Sequence, residues 1–394
     1  MSLLVVLLFF SQDYSQRGFV ESQGTFFPQE AVNDKAHVIG EVHLRYEGFY
    51  KPHPDFQVAG AIDARNDTHH QTERKLRFDW DDRGRQRPML SLGRLSAQYH
   101  RGGLTVEAGK QFVRWGRTDI VNPTDRFAPR DFLTVVDSEF LGIAAVRGTY
   151  ERGADTIDAV WSPRLTPGRI PLFSQRWFVP PPGVPAFVVE RDIPEGSQAG
   201  LRWSHVGFVE FAAAFYSGFS NLPSYEATPG SFIVREIYPQ QRMFGGDVGV
   251  PLRLVSIKAE AAYFQSHDHL SDNYVLYVVQ LERQSGEWFF VGGYGGEAIT
   301  ERGIQNADFD PVRGLTRTIL ARAGYTIDTN RSVAVETAVR ENFDGFWLKS
   351  EYTQAFGQHW RVTTGFTLIR GKPTDFLGQY RRNSHGVVAL KYSF

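Results

Sequence analysis

The chain contains no cysteine. That excludes a disulfide scaffold, a Cys-ligated zinc site, an iron–sulfur cluster and a thiol nucleophile, and it fits passage through an oxidising compartment. Neither sign of charge is in excess: 43 Lys plus Arg face 44 Asp plus Glu, a net charge of −1. The basic surplus of a nucleic-acid binder is absent, so no such partner is expected. Long apolar runs are also missing. The longest, Leu3–Phe10 (LLVVLLFF), is too short to cross a membrane as a helix. It reads as the apolar core of an export leader whose basic segment and small-residue cleavage site are not evident. Residues 1–16 are therefore assigned to a leader remnant and 17–394 to one domain, since no Pro/Ser linker or compositional break divides them. H-E-x-x-H, G-x-S-x-G, phosphate-loop and dinucleotide motifs are absent. No catalytic residues, cofactor or metal site are expected.

What the chain does have is 38 Gly, 31 Phe and 14% aromatic residues at a mean hydropathy of −0.32. Its apolar residues recur with a period of two. In Val38–Tyr50, Val38, Val42, Leu44, Tyr46 and Tyr50 alternate with Glu41, His43, Arg45 and Glu47. Val58, Ile62 and Ala64 oppose Asp63 and Arg65, and Leu104, Val106 and Ala108 oppose Glu107. The same wording returns around Lys258 and Glu260, Glu336 and Arg340, and Lys349 and Glu351, and in the final run ending Tyr392-Ser393-Phe394. These runs exceed the usual globular strand of about 5–6 residues.

The links between the runs alternate strictly between short and long. Short ones fall near 51–55, 100–103, 152–154, 205–207, 251–253, 283–286, 327–331 and 355–358. Long ones fall near 28–37, 66–88, 112–140, 162–196, 219–241, 265–273, 298–313 and 371–384, with a modest one at 341–345. This pattern predicts an all-β fold, an up-and-down antiparallel transmembrane barrel of 18 strands, with short turns on one side and long loops on the other. Parity requires SFIVREIY, 231–238, to lie in a loop, and the first strand, about 18–27, alternates weakly; 16 strands is the alternative count. In lipid every backbone donor and acceptor must be paired, which among strands only a closed barrel achieves. Tyr and Trp near the strand ends, such as Tyr50, Tyr99, Tyr150, Trp203, Trp288 and Trp360, fit interfacial girdles. A soluble sandwich or propeller would use shorter strands, and no fixed repeat supports a solenoid.

Two segments carry a family resemblance. The terminal Val387–Phe394, with Tyr392 and Phe394, looks like the assembly signal of bacterial outer-membrane barrels. Gly109-Lys110-Gln111-Phe112-Val113-Arg114-Trp115-Gly116, followed by Asn122-Pro123-Thr124-Asp125, resembles wording in uncharacterised Gram-negative barrels of porin and alginate-export-like type. The resemblance covers roughly 109–131 and the last strand. It implies a bacterial outer-membrane location and, as partners, the barrel-assembly machinery, periplasmic chaperones, outer-membrane lipid and lipopolysaccharide. It identifies no substrate.

The loop 112–140 is too rich in charge for a simple connector. Arg114, Arg117, Asp119, Asp125, Arg126, Arg130 and Asp131 would narrow the pore if it folds into the lumen, and opposed charge rows set selectivity; the same residues could instead pin the loop to the wall. The expected lumen wall comprises Glu41, Arg45, Asp63, Arg65, Glu107, Lys258, Glu260, Glu336, Arg340, Lys349, Glu351, Arg361 and Lys391, with Asp158 and Arg322. The proline-rich loop 162–196, with Pro180-Pro181-Pro182 flanked by Phe173, Trp177, Phe178 and Phe187, would cap the mouth, fold inward or stand as a rigid surface loop. His69-His70 and His267-Asp268-His269 read as surface histidines rather than metal ligands. The expected function is a passive channel for small polar or charged solutes, both termini periplasmic. The alternatives are a plugged structural or interaction barrel and, third, an outer-membrane hydrolase, which would need a Ser/His or Asp/His cluster at the rim; Ser266, His267 and Asp268 are adjacent, but neighbours in a strand point apart.

Overall fold

The computed structural model describes residues 13–119, 121–179, 188–227, 233–266, 268, 271–303 and 309–394. Eighteen strands form the wall. They are β1 Tyr14–Phe26, β2 Val38–His53, β3 Phe56–Asp67, β4 Leu90–Arg101, β5 Leu104–Gln111, β6 Ile143–Arg152, β7 Asp155–Ser162, β8 Gln198–His205 and β9 Glu210–Phe219. The second half runs β10 Gln240–Pro251, β11 Ser256–Ser266, β12 Asn273–Ser285, β13 Trp288–Glu301, β14 Thr318–Asp328, β15 Arg331–Arg340, β16 Gly345–Phe356, β17 Trp360–Gly371 and β18 His385–Ser393. Each strand pairs antiparallel with its neighbours in sequence. The barrel closes where β1 meets β18, from Phe19↔Ser393 to Phe26↔Gly386. Phe394 continues this seam, its N–H donating to Gly18 O at 3.0 Å and its carbonyl accepting from Gly18 N at 2.8 Å.

The expected count, parity and alternation of connections hold. The expected leader boundary at residue 17 falls inside β1, which begins at Tyr14 opposite Tyr50; Leu3–Phe10 lies outside the described residues. The described part of the 231–238 segment, 233–238, lies outside the barrel wall, as parity demands. Ile233–Ile237 pairs there with Val188–Arg191 and Ser224–Ala227 in a separate three-stranded sheet. Gly102, Gly153, Gly286 and Gly357 occupy short turns with φ between 58° and 62°, the left-handed conformation that lacks a steric cost only for glycine.

The period of two separates an outer and an inner face. Outward side chains such as Ile62, Leu201, Phe244, Val279, Val335 and Val388 are open and form an apolar belt. Tyr50, Tyr99, Tyr150, Trp203, Trp288 and Trp360 ring it near the short turns, each close to half exposed. The inner face is divided. Toward the long loops part of it is apolar: Val278, Leu320, Ala338, Trp347 and Ile369 are buried there, and Phe27, Val121, Trp177, Leu377 and Tyr380 from the connecting loops pack among them. Toward the short turns the inward column carries Lys258, Arg322, Glu336, Lys349, Glu351, Arg361 and Lys391. The charged wall expected from the sequence is thus interrupted, on the β12–β17 side, by apolar inward groups near the long loops. These groups pack loops, while Glu41, Arg65 and Arg340 near other long loops hold them by ion pairs.

Candidate constriction within the barrel

The connection between β5 and β6, residues 112–142, meets inward side chains from several parts of the wall. At its start the Trp115 indole N–H donates to Asp158 on β7 at 3.0 Å, and the ring packs edge-on against Phe127 at 5.2 Å. Gly116 follows at φ 91°. A Cβ there would lie 2.0 Å from Asn122 Oδ1 and 2.7 Å from Glu260 Oε1, so only glycine fits. This bend delivers Arg117 and Thr118 to Glu260 on β11.

Glu260 is buried at 2% exposure and holds the segment by its backbone. It accepts from Arg117 N at 2.9 Å, from Thr118 N and Oγ1 at 3.3 and 3.0 Å, and from Thr124 N and Oγ1 at 2.7 and 2.8 Å. A buried carboxylate is tolerated when so many donors replace its water. Beside it Arg117 pairs with Asp247 on β10 at 2.8 Å and with Glu210. Asp119 accepts from Gln280 on β12 at 2.6 Å and lies 3.5 Å from Lys258, which itself pairs with Glu282 at 2.5 Å.

The middle of the segment carries Asp125, whose Oδ1 accepts from Trp115 N at 3.0 Å and whose Oδ2 lies 3.5 Å from Arg114. Burial pushes the Asp125 carboxyl up to about 6, against the pull of that hydrogen bond and of Arg114 and Arg130. Both guanidiniums lie over the Phe140 ring, at 4.0 and 4.2 Å. Arg126 lies over Phe264 of β11 at 5.0 Å. Asp131 belongs to a buried ionic cluster: it pairs with Arg87 at 2.9 Å and Arg169 at 3.1 Å, and Arg169 reaches Asp82 at 2.7 Å, which also takes Lys110 at 2.5 Å. Burial alone would raise the Asp131 carboxyl, but Arg87 and Arg169 outweigh it and hold it well below the usual carboxylate range. At the far end Asp137 pairs with Lys349 on β16 at 2.7 Å. The segment therefore reaches from the β7–β12 side to the opposite wall.

Between this segment, the β14–β16 wall and the last loop lies a cavity of about 310 Å³. Asp125, Arg126, Arg130 and Asp137 face it from the segment, Glu336 and Lys349 from the wall, and Leu320, Trp347 and Phe376 form an apolar side. Such a mixed lining suits a small solute.

The remaining wall residues divide into paired and open groups. Glu41 takes Arg65 and Arg87, each at 3.3 Å. Asp63 takes Arg45 at 2.7 Å and His43 at 2.6 Å. Glu107 accepts from Arg94 at 2.7 Å, Arg340 pairs with Asp375 at 2.9 Å, and Lys391 with Glu21 at 3.1 Å. Glu351 accepts from Thr353 at 3.4 Å, while Arg322 and Arg361 are exposed. Trp177 of the proline-rich loop is buried against Tyr380, at 5.6 Å between rings, so this part folds inward; Pro180-Pro181-Pro182 and Phe187 lie outside the described residues. His69 bonds Asp34 at 2.7 Å, and His267 and His269 lie outside the described residues. No cluster of three metal-ligating side chains occurs among the described residues.

Several anchoring residues went unread in the sequence: Asp247, Gln280, Arg87, Arg169 and Asp82. They lie in strands or loops with no distinctive spacing. The apolar inner face had a signal, because Tyr274-Val275-Leu276-Tyr277-Val278-Val279 and Phe346-Trp347-Leu348 break the polar alternation.

No protein-family model matches the chain, and no curated protein matches it. Solved structures do. A BenF-like porin from Pseudomonas fluorescens Pf-5 aligns over 98% of this chain and 99% of its own at 10% identity, TM-score 0.55. Pseudomonas aeruginosa OpdQ aligns over 97% and 96% at 12% identity, TM-score 0.55. OccK2 (OpdF) of the same species, solved in complex with glucuronate, aligns over 97% and 98% at 10% identity, TM-score 0.55. At these identities the likeness is one of fold. The chain has the closed 18-strand barrel fold of outer-membrane porins.

Proposed function

We propose that the protein is an outer-membrane channel for passive passage of small polar or charged solutes, with residues 112–142 as its constriction. The observation that carries this reading is the cavity of about 310 Å³ beside that segment, edged by Asp125, Arg126, Arg130, Glu336 and Lys349. Charged groups of both signs around a narrow passage select by local field and size. Arg322, Glu351 and Arg361 line the passage on the short-turn side in this reading. In this reading the short turns and both termini face the periplasm, lipopolysaccharide and phospholipid surround the belt, and Tyr392 and Phe394 address the barrel-assembly machinery. The porin-like wording of 109–131 supports the class; its likeness to alginate-export-like barrels carries no solute with it. No covalent step is needed.

A second reading is favoured by the apolar cluster around Trp177, Val278, Trp347, Ile369 and Tyr380, which fills the loop half: a plugged barrel with a structural or interaction role. Planar-bilayer recording separates the two. The channel reading expects discrete conductance from the folded protein and a larger conductance after deletion of 117–138. Silence from both folded proteins would sink it and favour the plugged barrel.

A further inference from the structure

The eight short turns are not alike. Past the aromatic girdle most end in polar or glycine residues: Pro54-Asp55, Gly102-Gly103, Gly286-Glu287, Thr329-Asn330 and Gly357-Gln358-His359. Two adjacent hairpins break this rule. The β8–β9 turn reads Val206-Gly207-Phe208-Val209 and the β10–β11 turn Leu252-Arg253-Leu254-Val255. Their apolar side chains are open, with Phe208 74% and Leu254 69% exposed. β9 and β10 are hydrogen-bonded neighbours, Glu210 opposite Gly249, so the two turns form one apolar edge.

This edge continues the lipid-facing belt without a break. Phe244, Val248, Val250 and Leu252 share the outward column of β10, and Phe211 and Val209 that of β9. The Trp203 girdle position lies on the same hairpin as Phe208. At about 3.3 Å per residue along a tilted strand, the Phe208 turn stands roughly 10 Å beyond that girdle. The interfacial layer flanking the hydrocarbon is only about 5–7 Å deep. On an upright barrel these side chains would stand in water. A barrel leaning toward this side places them among phospholipid headgroups, and a belt taller on one side is met by tilt.

We propose that the β8–β9 and β10–β11 hairpins dip into the leaflet on the short-turn side, so that the barrel leans in the membrane with phospholipid covering Val206, Phe208, Val209, Leu252 and Leu254. The inference rests on the barrel lying in a bilayer and not on its conducting.

The cysteine-free chain makes the test direct. Single substitutions F208C and L254C, with A154C and Q358C in ordinary turns and V279C in the belt, are labelled with an environment-sensitive fluorophore. The full-length folded barrels are then placed in phospholipid vesicles with and without bromine on the acyl chains. The expected result is blue-shifted emission and loss of intensity to brominated lipid at 208 and 254, as at 279, with neither at 154 or 358. Water-like emission at 208 and 254 while 279 is quenched overturns the proposal and leaves the membrane reading intact. Failure at 279 as well overturns both. Equal quenching at all four turns overturns the lean. A blue shift without lipid quenching, with thiol cross-linking between copies, assigns the edge to a second copy and overturns the lipid assignment.

Discussion

Glu260 on β11 accepts hydrogen bonds from both the N–H and the hydroxyl of Thr124, at 2.7 and 2.8 Å, across 136 residues of sequence. One inward carboxylate thus fixes the path of the segment proposed to set the passage. Glu260→Ala leaves the N–H groups of Arg117 and Thr124 buried without an acceptor, at a cost of about 1–3 kcal/mol each. The variant is expected to lose its folded gel mobility at lower temperature and to show noisier single-channel current. Glu260→Gln, which keeps one carbonyl acceptor, should fall between it and the parent.

Gly116 should be equally intolerant. A side chain at φ 91° meets Asn122 Oδ1 at 2.0 Å, and the left-handed region itself costs L residues roughly 1–2 kcal/mol. Gly116→Ala is expected to destabilise by more than that and to expose residues 112–125 to protease. Gly148→Ala, where an added Cβ meets nothing within 4 Å, is the control and should change neither readout.

Asp125 gives a pH dependence of known sign. Its folded pKa of about 6 lies above the unfolded value of about 3.9. The folded state therefore binds the extra proton, and the stability this supplies is full below pH 4 and lost as pH rises through 6. Asp125→Asn cannot ionise and can still accept from Trp115 N. It should be more stable than the parent at pH 7, by on the order of 3 kcal/mol, with the difference vanishing below pH 4. Equal unfolding midpoints at pH 7 would count against the buried carboxylate.

Lys349 and Asp137 are 24% and 50% exposed and 2.7 Å apart. A pair this open contributes about 1 kcal/mol or less, so Lys349→Gln should leave thermal stability nearly unchanged. Removing a cation from the cavity edge should nevertheless move the reversal potential in a salt gradient toward cation preference. An unmoved reversal potential would place the current path elsewhere.

How much of this was legible depends on which face a residue serves. The outward column could be read because lipid demands apolar side chains at every second position, which is why Val42, Leu44 and Val335 gave strands and their parity gave 18. Arg117 and Asp119 stood out through charge density, so the segment was visible as unusual. What the sequence concealed is where inward groups meet. Glu260 and Glu351 look alike as charged inward residues of alternating strands, yet one is a buried anchor with five donors and the other is half-buried and accepts from its strand neighbour Thr353. Only the path of a loop more than a hundred residues away distinguishes them. The buried cluster of Asp82, Arg87, Asp131 and Arg169 is likewise assembled from three loops, and no local spacing announces it.

The seam between β1 and β18 carries a kinetic consequence. Gly18 and Phe394 bond to each other from opposite ends of the wall, so the pairing that abolishes both free edges is also the one with the greatest loop-closure cost. A partly assembled wall would present two unpaired strand edges to solvent and to other chains. Insertion should therefore behave as a single late event, and weakening the last pairing should show itself first as aggregation during assembly and only afterwards as a change in the finished barrel.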